Sequence, residues 1–248
     1  MYSDSVEWPY AWERAWLYKL GDLVARRTKE EALATRNRLL DAAELLFQAQ
    51  GVSQTSLQQI AQQAGATRGA IYWHFKDKAA LFNAMMERVI LPLEAGPRAA
   101  AAATGIDDDP LAEIEEGMVH ALTLMATDPQ VRRVFDVATH KVEYTHDMAS
   151  VQQRHLDARN ACVSDFEKAL RLAARRDHIK LPVPGHAAAQ GLHALISGLI
   201  QNWLLDPTAF DLVPTGRRTF RVYLAGLGFV RNSPAGIGNE AGEEEIAA

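Results

Sequence analysis

Between Thr55 and Phe75 the chain reads TSLQQIAQQAGATRGAIYWHF, two stretches of helical spacing separated by three small residues, Ala64, Gly65 and Ala66. No other stretch restricts the fold as tightly. Ser56 followed by Gln59 is a capping-box pattern: the serine hydroxyl accepts from the amide three residues on, and the glutamine side chain accepts from the serine amide. It opens a helix over LQQIAQQA that stops at Gly65. Thr67 is a second N-cap and opens a helix that runs to about Phe75. Leu57, Ile60, Ile71 and Phe75 supply a shared core, and Ala61 and Ala64 are small enough for the helices to approach closely. Two short helices across a tight glycine-containing turn have the spacing of a helix-turn-helix.

The second of these helices carries more apolar surface than one core can take. Ile71 and Phe75 lie one turn apart on one face, whereas Tyr72 and Trp73 rotate away from it at about 100° per residue. An exposed aromatic pair beside Arg68, His74, Lys76 and Lys78 calls for a partner. A helix that enters the DNA major groove needs hydrogen-bonding side chains on its leading face and small residues where backbones meet, which Thr67, Arg68, Gly69 and Ala70 provide. Gly69 costs about 1 kcal/mol relative to alanine inside a helix, a cost that close approach to a phosphate or base would explain. Tyr72, Trp73 and His74 can then lie along the sugar-phosphate backbone, and Lys78 adds a phosphate contact at the start of the next helix. On the residues alone, an ordinary helical hairpin with an aromatic rim against the body remains the other reading.

The rest of the chain is also helical in pattern. Leu33, Leu39, Leu40, Ala43, Leu46 and Phe47 recur at threes and fours and predict a helix from Thr28 to Gln50, stopped by Gly51. Asp77 caps a fourth helix, which Pro92 interrupts. Beyond an Ala-rich, acidic loop ending in Asp107–Pro110, helices are expected at Leu111–Thr127, Pro129–Met148, Ala149–Arg176, Ala187–Leu205 and Arg217–Val230, with breaks at Pro182–Gly185, Pro207 and Pro214. Strand signals are absent, so the fold class is all-α. In residues 1–23, Trp8, Trp12 and Trp16 are spaced four apart and could form an amphipathic turn and a half, limited by Pro9, but the stretch reads better as an extension without stable structure or as a translation start assigned too early. Residues 24–78 then form a DNA-binding unit, 79–232 a second helical domain, and 233–248 a disordered acidic tail.

Charge separates these units. Residues 24–78 hold eight Lys or Arg and five acids, a net of +3, whereas the whole chain is −5 and the remainder therefore −8. A small basic end on an acidic body suits a site-specific DNA reader and excludes indiscriminate coating of nucleic acid. One cysteine, Cys162, excludes an intramolecular disulfide and fits a reducing cytoplasm. No apolar run approaches the roughly 18 residues of a membrane span. Among enzyme signatures there is no glycine-rich phosphate loop, no GxSxG elbow and no HExxH, so neither catalysis nor a cofactor is expected. His140, Glu143 and Asp147, at i, i+3 and i+7, share one helical face that could hold a metal, but without a cysteine partner a partly solvated face with Lys141 and His146 nearby is the better reading, and no metal is expected.

TSLQQIAQQAGATRGAIYWHFKDKAALF resembles the DNA-binding segment of the TetR family of bacterial transcriptional repressors. RRTKEEALATRNRLLDAAELLF, HKVEYTHDMASVQQ and SGLIQNWLLDPTAFDL are similar to its AcrR-like branch, which controls multidrug efflux pumps. The resemblance starts after Val24 and implies three N-terminal helices that bind DNA and about six that bind ligand and dimerise. It implies DNA contacts by Thr67, Arg68, Gly69, Tyr72, Trp73, His74 and Lys78, with Arg68 on a base, preferably guanine. It also places Met85, Phe135, Thr139, Val142, Glu143, Phe166 and Leu170 on pocket helices, although apolar helical spacing fits plain core as well.

Specific binding needs more surface than one helix-turn-helix, so a homodimer reading half-sites about 34 Å apart is expected. Residues 187–205 mix small and large apolar residues with almost no charge, and Leu195, Ser197, Ile200 and Trp203 are the interface candidates, with burial inside one chain as the alternative. The partners expected are double-stranded operator DNA, a small-molecule inducer and a second copy of the chain, with no membrane. The reading is a ligand-released repressor of a multidrug efflux operon; an activator, or a regulator of an unrelated metabolic operon, would share the fold.

Overall fold

Forty residues, Ala11–Gln50, form one continuous helix, α1. The computed structural model describes residues 11–89 and 109–229, with side chains from residue 28 onward. Helix therefore replaces the unstructured extension expected at 11–23, because nothing there breaks it. After Pro9 the next proline is Pro92, and Gly21 is the single glycine before Gly51. Residues 1–10, the expected kink at Pro92 and the tail 233–248 lie outside the described residues.

α1 is followed by α2 (Leu57–Gln63), α3 (Arg68–His74) and α4 (residues 78–89). Ser56 and Gln59 form the expected capping box, at 3.2 Å from the Gln59 amide to Ser56 Oγ and 2.8 Å from the Ser56 amide to Gln59 Oε1. Gly65 has φ +63, a left-handed conformation that costs other residues about 1–2 kcal/mol. It turns the chain so that the Ala66 amide reaches the Ala61 carbonyl at 2.8 Å. Leu39, Leu40, Phe47, Ile60, Ile71, Phe75, Leu81 and Phe82 close the core between these four helices.

The second domain is built from α5 (Pro110–Thr127), α6 (Pro129–His140), α7 (Ala149–Arg176), α8 (Gly185–Leu205) and α9 (Leu212–Gly226). Asp109 and Asp128 cap α5 and α6 ahead of a proline at the first helical position, where the missing amide has no helical partner to lose. α7 packs on α8, and α9 packs on α5 and α8. Among the described residues there is no strand, and no helix is long and apolar enough to cross a membrane.

Two expected helices have other bounds. Residues 129–148 are not one helix: α6 stops at His140, residues 141–145 are irregular, and His146–Met148 make a single 3-10 turn. The chain leaves the helix to join the two domains, with the Val52 amide donating to the Lys141 carbonyl at 3.0 Å and Ser53 Oγ donating to Glu143 at 3.0 Å. His140, Glu143 and Asp147 thus share no helical face, and His140 pairs with Asp136 at 3.0 Å. α9 starts at Leu212, ahead of Pro214, because a proline in the first turn removes no helical hydrogen bond.

A buried ionic group also ties the domains together. Glu44 of α1 is 2% exposed and meets Arg88 of α4 at 3.2 Å and Arg133 Nε of α6 at 3.6 Å. Gln130 Nε2 donates to it at 2.9 Å.

Candidate nucleic-acid interface

α3 exists because its two ends are fixed. Thr67 Oγ1 accepts from the Ala70 amide at 3.1 Å, and the Phe75 amide closes the last turn on the Ile71 carbonyl at 2.8 Å. Ile71 and Phe75 point into the core at 0% and 3% exposure, and that choice fixes everything else on the helix. Tyr72 and Trp73 are left 49% and 73% exposed, the latter the most exposed large hydrophobic of the described chain. The Arg68 guanidinium lies 5.8 Å above the Tyr72 ring, and Trp73 meets the His74 ring edge-on at 4.5 Å. Thr67, Arg68, Gly69, Tyr72 and Trp73 therefore share an outer surface, with Ala70 and His74 half-buried at its margin.

Gly69 has no reason of its own to be glycine. A Cβ there would find only Thr67 Oγ1, at 3.9 Å, and its φ is not in the left-handed range. Gly69→Ala should hold or raise the melting stability, by up to about 1 kcal/mol, and weaken DNA binding. Calorimetry beside a DNA titration reads the two signs; a variant that binds DNA as well as wild type would mean nothing approaches that backbone closely.

Lys78 differs from the expected picture. Its ammonium donates to the carbonyls of Val52 and Ser53 at 2.7 and 3.2 Å, so it fastens the start of α4 to the turn between α1 and α2. An ammonium has three protons, and one remains for a phosphate. Burial lowers its pKa, and the Asp147 charge acts against that shift.

Burial and then the Arg36 charge hold the His74 imidazole below its ordinary pKa of 6.5. If His74 meets a phosphate in the complex, the imidazolium is favoured and complex formation takes up a proton. Affinity should therefore rise as pH falls below about 6.5, and His74→Gln should flatten that part of the profile. An unchanged profile in the variant would place His74 away from phosphate.

Periodicity alone did not place Arg36 beside α3. Its guanidinium stands 5.3 Å over the Phe75 ring, on the α3 side of α1. The signal was present, since Arg36 lies three and four residues before the buried Leu39 and Leu40.

The positions expected to bind ligand differ in how far their own chain covers them. Met85 and Leu170 are fully buried, Phe135, Thr139, Val142 and Phe166 are half-buried, and Glu143 is exposed. Val142 and Glu143 line a cleft of about 310 Å³ between the end of α1 and residues 140–143. Of the interface candidates, Leu195, Ser197 and Ile200 are half-buried in the single chain. Trp203 is not on an outward face: it is 5% exposed and covered by the Arg132 guanidinium at 4.9 Å.

Residues 39–85 match the family described as bacterial regulatory proteins, tetR family, and residues 109–229 match the MAATS-type transcriptional repressor C-terminal region. The HTH-type transcriptional regulator AcrR of Shigella flexneri is 38% identical over 197 residues, 78% of this chain and 89% of AcrR. The chain belongs to the TetR family.

This TetR-family protein is thereby a DNA-binding transcriptional regulator and not an enzyme. Its fold is shared with NalD, the secondary repressor of the MexAB-OprM multidrug efflux pump in Pseudomonas aeruginosa. The TM-score is 0.71 and the identity 34%, over 79% of this chain and 97% of NalD. A complex of SmeT with triclosan aligns with a TM-score of 0.67 and 30% identity, over 83% of this chain and 99% of SmeT. SmeT is the repressor of the Stenotrophomonas maltophilia efflux pump SmeDEF.

Proposed function

We propose that this TetR-family regulator binds operator DNA as a homodimer in the cytoplasm and represses a multidrug efflux operon until a lipophilic small molecule occupies its C-terminal domain. The observation that carries the DNA-contacting part is the outer surface of α3. Arg68, Tyr72 and Trp73 stand exposed on a helix whose other face is committed to the core, and Gly69 leaves the backbone open between them. On this reading Arg68 reaches a base edge and the aromatic residues, His74 and the third proton of Lys78 meet the sugar-phosphate backbone.

Dimerisation through α8 and α9 is supported by Leu195, Ser197 and Ile200, which their own chain only half covers, and by Leu205 and Val222, which are 70% and 72% exposed. The efflux assignment leans on the relatives, two of which are named as efflux-pump repressors and one of which holds triclosan. Half-buried Phe135, Thr139 and Phe166 are the side chains we assign to the ligand. A ligand acts here only by binding one spacing of the two α3 helices better than another.

A mobility-shift titration on the DNA just upstream of the protein's own gene tests this, with lipophilic cations and planar aromatic compounds as competitors. A specific shift released by one of the compounds is the expected result. A folded dimer that shifts specifically but is released by none of them would remove the efflux reading and leave the repressor.

A further inference from the structure

α7 and α8 run antiparallel and bring three basic side chains to one seam. Arg171 covers Gly185, where an added Cβ would stand 2.9 Å from its Nε, and Glu167 meets His186 at 3.3 Å. Eight residues back along α7 and seven forward along α8, this register sets Arg159 level with His193. His155 lies one turn before Arg159 on the same face of α7. Arg159 and His193 are half-buried, and His155 is exposed.

None of the three has a carboxylate partner among the described residues. Arg159 donates to Asn160 Oδ1 at 2.8 and 3.2 Å, His193 Nδ1 lies 3.5 Å from Ser197 Oγ, and the His155 ring centre is 6.3 Å from that of Tyr144. The acids of these elements are engaged elsewhere. α8 contains none, and on α7 Asp157 holds Gln153, Asp165 holds Lys168, and Glu167 holds Arg171 and His186. Ahead of α7, Glu143 accepts from Ser53 and Asp147 acts on Lys78. Burial first, and then the Arg159 and His155 charges, hold the His193 imidazole below its ordinary 6.5, the direction expected where like charges meet without a carboxylate to balance them.

A guanidinium flanked by two imidazoles in a half-buried seam is complementary to a carboxylate. The arginine fork donates two parallel hydrogen bonds, and the anion relieves the repulsion among the bases. An apolar neighbour stands on the same face: Phe166, half-buried, follows Arg159 by seven residues of α7, about 10 Å along the axis. We propose that the seam of α7 and α8 at His155, Arg159 and His193 binds the carboxylate of a small organic acid whose apolar body extends toward Phe166. The proposal rests on the reading that a small molecule occupies the C-terminal domain, and it gives that molecule a negative charge.

The test uses the full chain and three probes that share one ring system and differ in charge: naphthoate, naphthamide and naphthylmethylammonium. Isothermal titration near neutral pH reads their affinities, with sulfate as an anion that lacks the apolar body. Naphthoate is expected to bind about tenfold or more tighter than the amide, as a charge-assisted pair exceeds a neutral one, and the ammonium to bind most weakly. Arg159→Gln is expected to remove the advantage of the acid and leave amide binding unchanged; Arg159→Lys should keep part of it. Equal affinities for acid, amide and ammonium, or no binding of naphthoate by the folded protein, would overturn the proposal. So would a loss that falls on all three probes alike in Arg159→Gln, which would make the arginine structural, or sulfate competing at the concentrations at which naphthoate binds. A variant that falls to monomers without any probe would also overturn it, by assigning the cluster to a carboxylate of the second copy.

Release of DNA is read separately, so the two readings fail differently. Naphthoate that binds through Arg159 and releases no DNA would keep the seam and remove ligand control. Release by amide or ammonium as readily as by the acid would keep ligand control and remove the seam.

Discussion

Arg68→Ala should leave the fold unchanged and remove specific DNA binding. Arg68 is exposed at the first turn of α3, and its one described contact is the Tyr72 ring at 5.8 Å, worth about 0.5–1 kcal/mol at an exposed site. A bidentate arginine-guanine pair discriminates by about 1–3 kcal/mol. Two such pairs in a two-fold dimer make about 2–6 kcal/mol, roughly thirtyfold to twenty-thousandfold in affinity. The loss should fall on operator and not on scrambled DNA. Arg68→Lys should keep the charge and lose most of the discrimination, because an ammonium cannot present two parallel donors. Titrations on both duplexes, with melting curves of each variant, read this out. Equal losses on both would assign Arg68 to a phosphate.

Glu44→Ala should be the most damaging single change to stability. The carboxylate is buried among α1, α4 and α6, and its removal leaves Arg133 and Gln130 without it and Arg88 with Asp41 alone, at 2.7 Å. Breaking a buried ionic group by deleting one partner costs about 3–5 kcal/mol. For a chain of this size that is a fall of about 6–20 °C in melting temperature. Glu44→Met/Arg133→Met should recover much of it, since no unpaired charge is then left buried between α1 and α6.

The pH dependence has a definite sign. Burial raises the Glu44 pKa above 4.5, against the Gln130 hydrogen bond and the Arg88 and Arg133 charges. A carboxyl that holds its proton more tightly when folded adds stability at low pH and loses that addition as pH rises through its folded pKa. The gap between wild type and Glu44→Ala should therefore widen toward acid. A variant that melts with wild type at every pH would show the group to be ornamental.

What could be read in the sequence was local. Ser56, Gln59, Thr67 and Gly65 act within four residues of themselves, and the structure has the caps and the turn they predict. Ile71 and Phe75 fixed the buried face of α3 and so the exposed one. Errors arose where a neighbour in space decided. Helical spacing continues past His140, but the hydrogen bonds of Lys141 and Glu143 to the turn at 52–53 end the helix there. Trp203 looked available for a partner until Arg132, 71 positions earlier in the numbering, covered it. Glu44 shares a helical face with Leu40 and Phe47, which marks it as buried, yet its partners come from α4 and α6, and no spacing within α1 names them.

Lys78 gives α3 a mechanical character. The reading helix spans seven residues, Arg68–His74, and begins three residues after the fixed left-handed turn at Gly65. Four residues after it ends, Lys78 is fastened to the carbonyls of Val52 and Ser53. Those carbonyls belong to the same turn whose amide is held by Lys141. A helix so short and so closely pinned has no slack in which to bend or slide. It moves as a tooth moves with its gear, and in the proposed dimer the grip would change only through the distance between two teeth of constant shape.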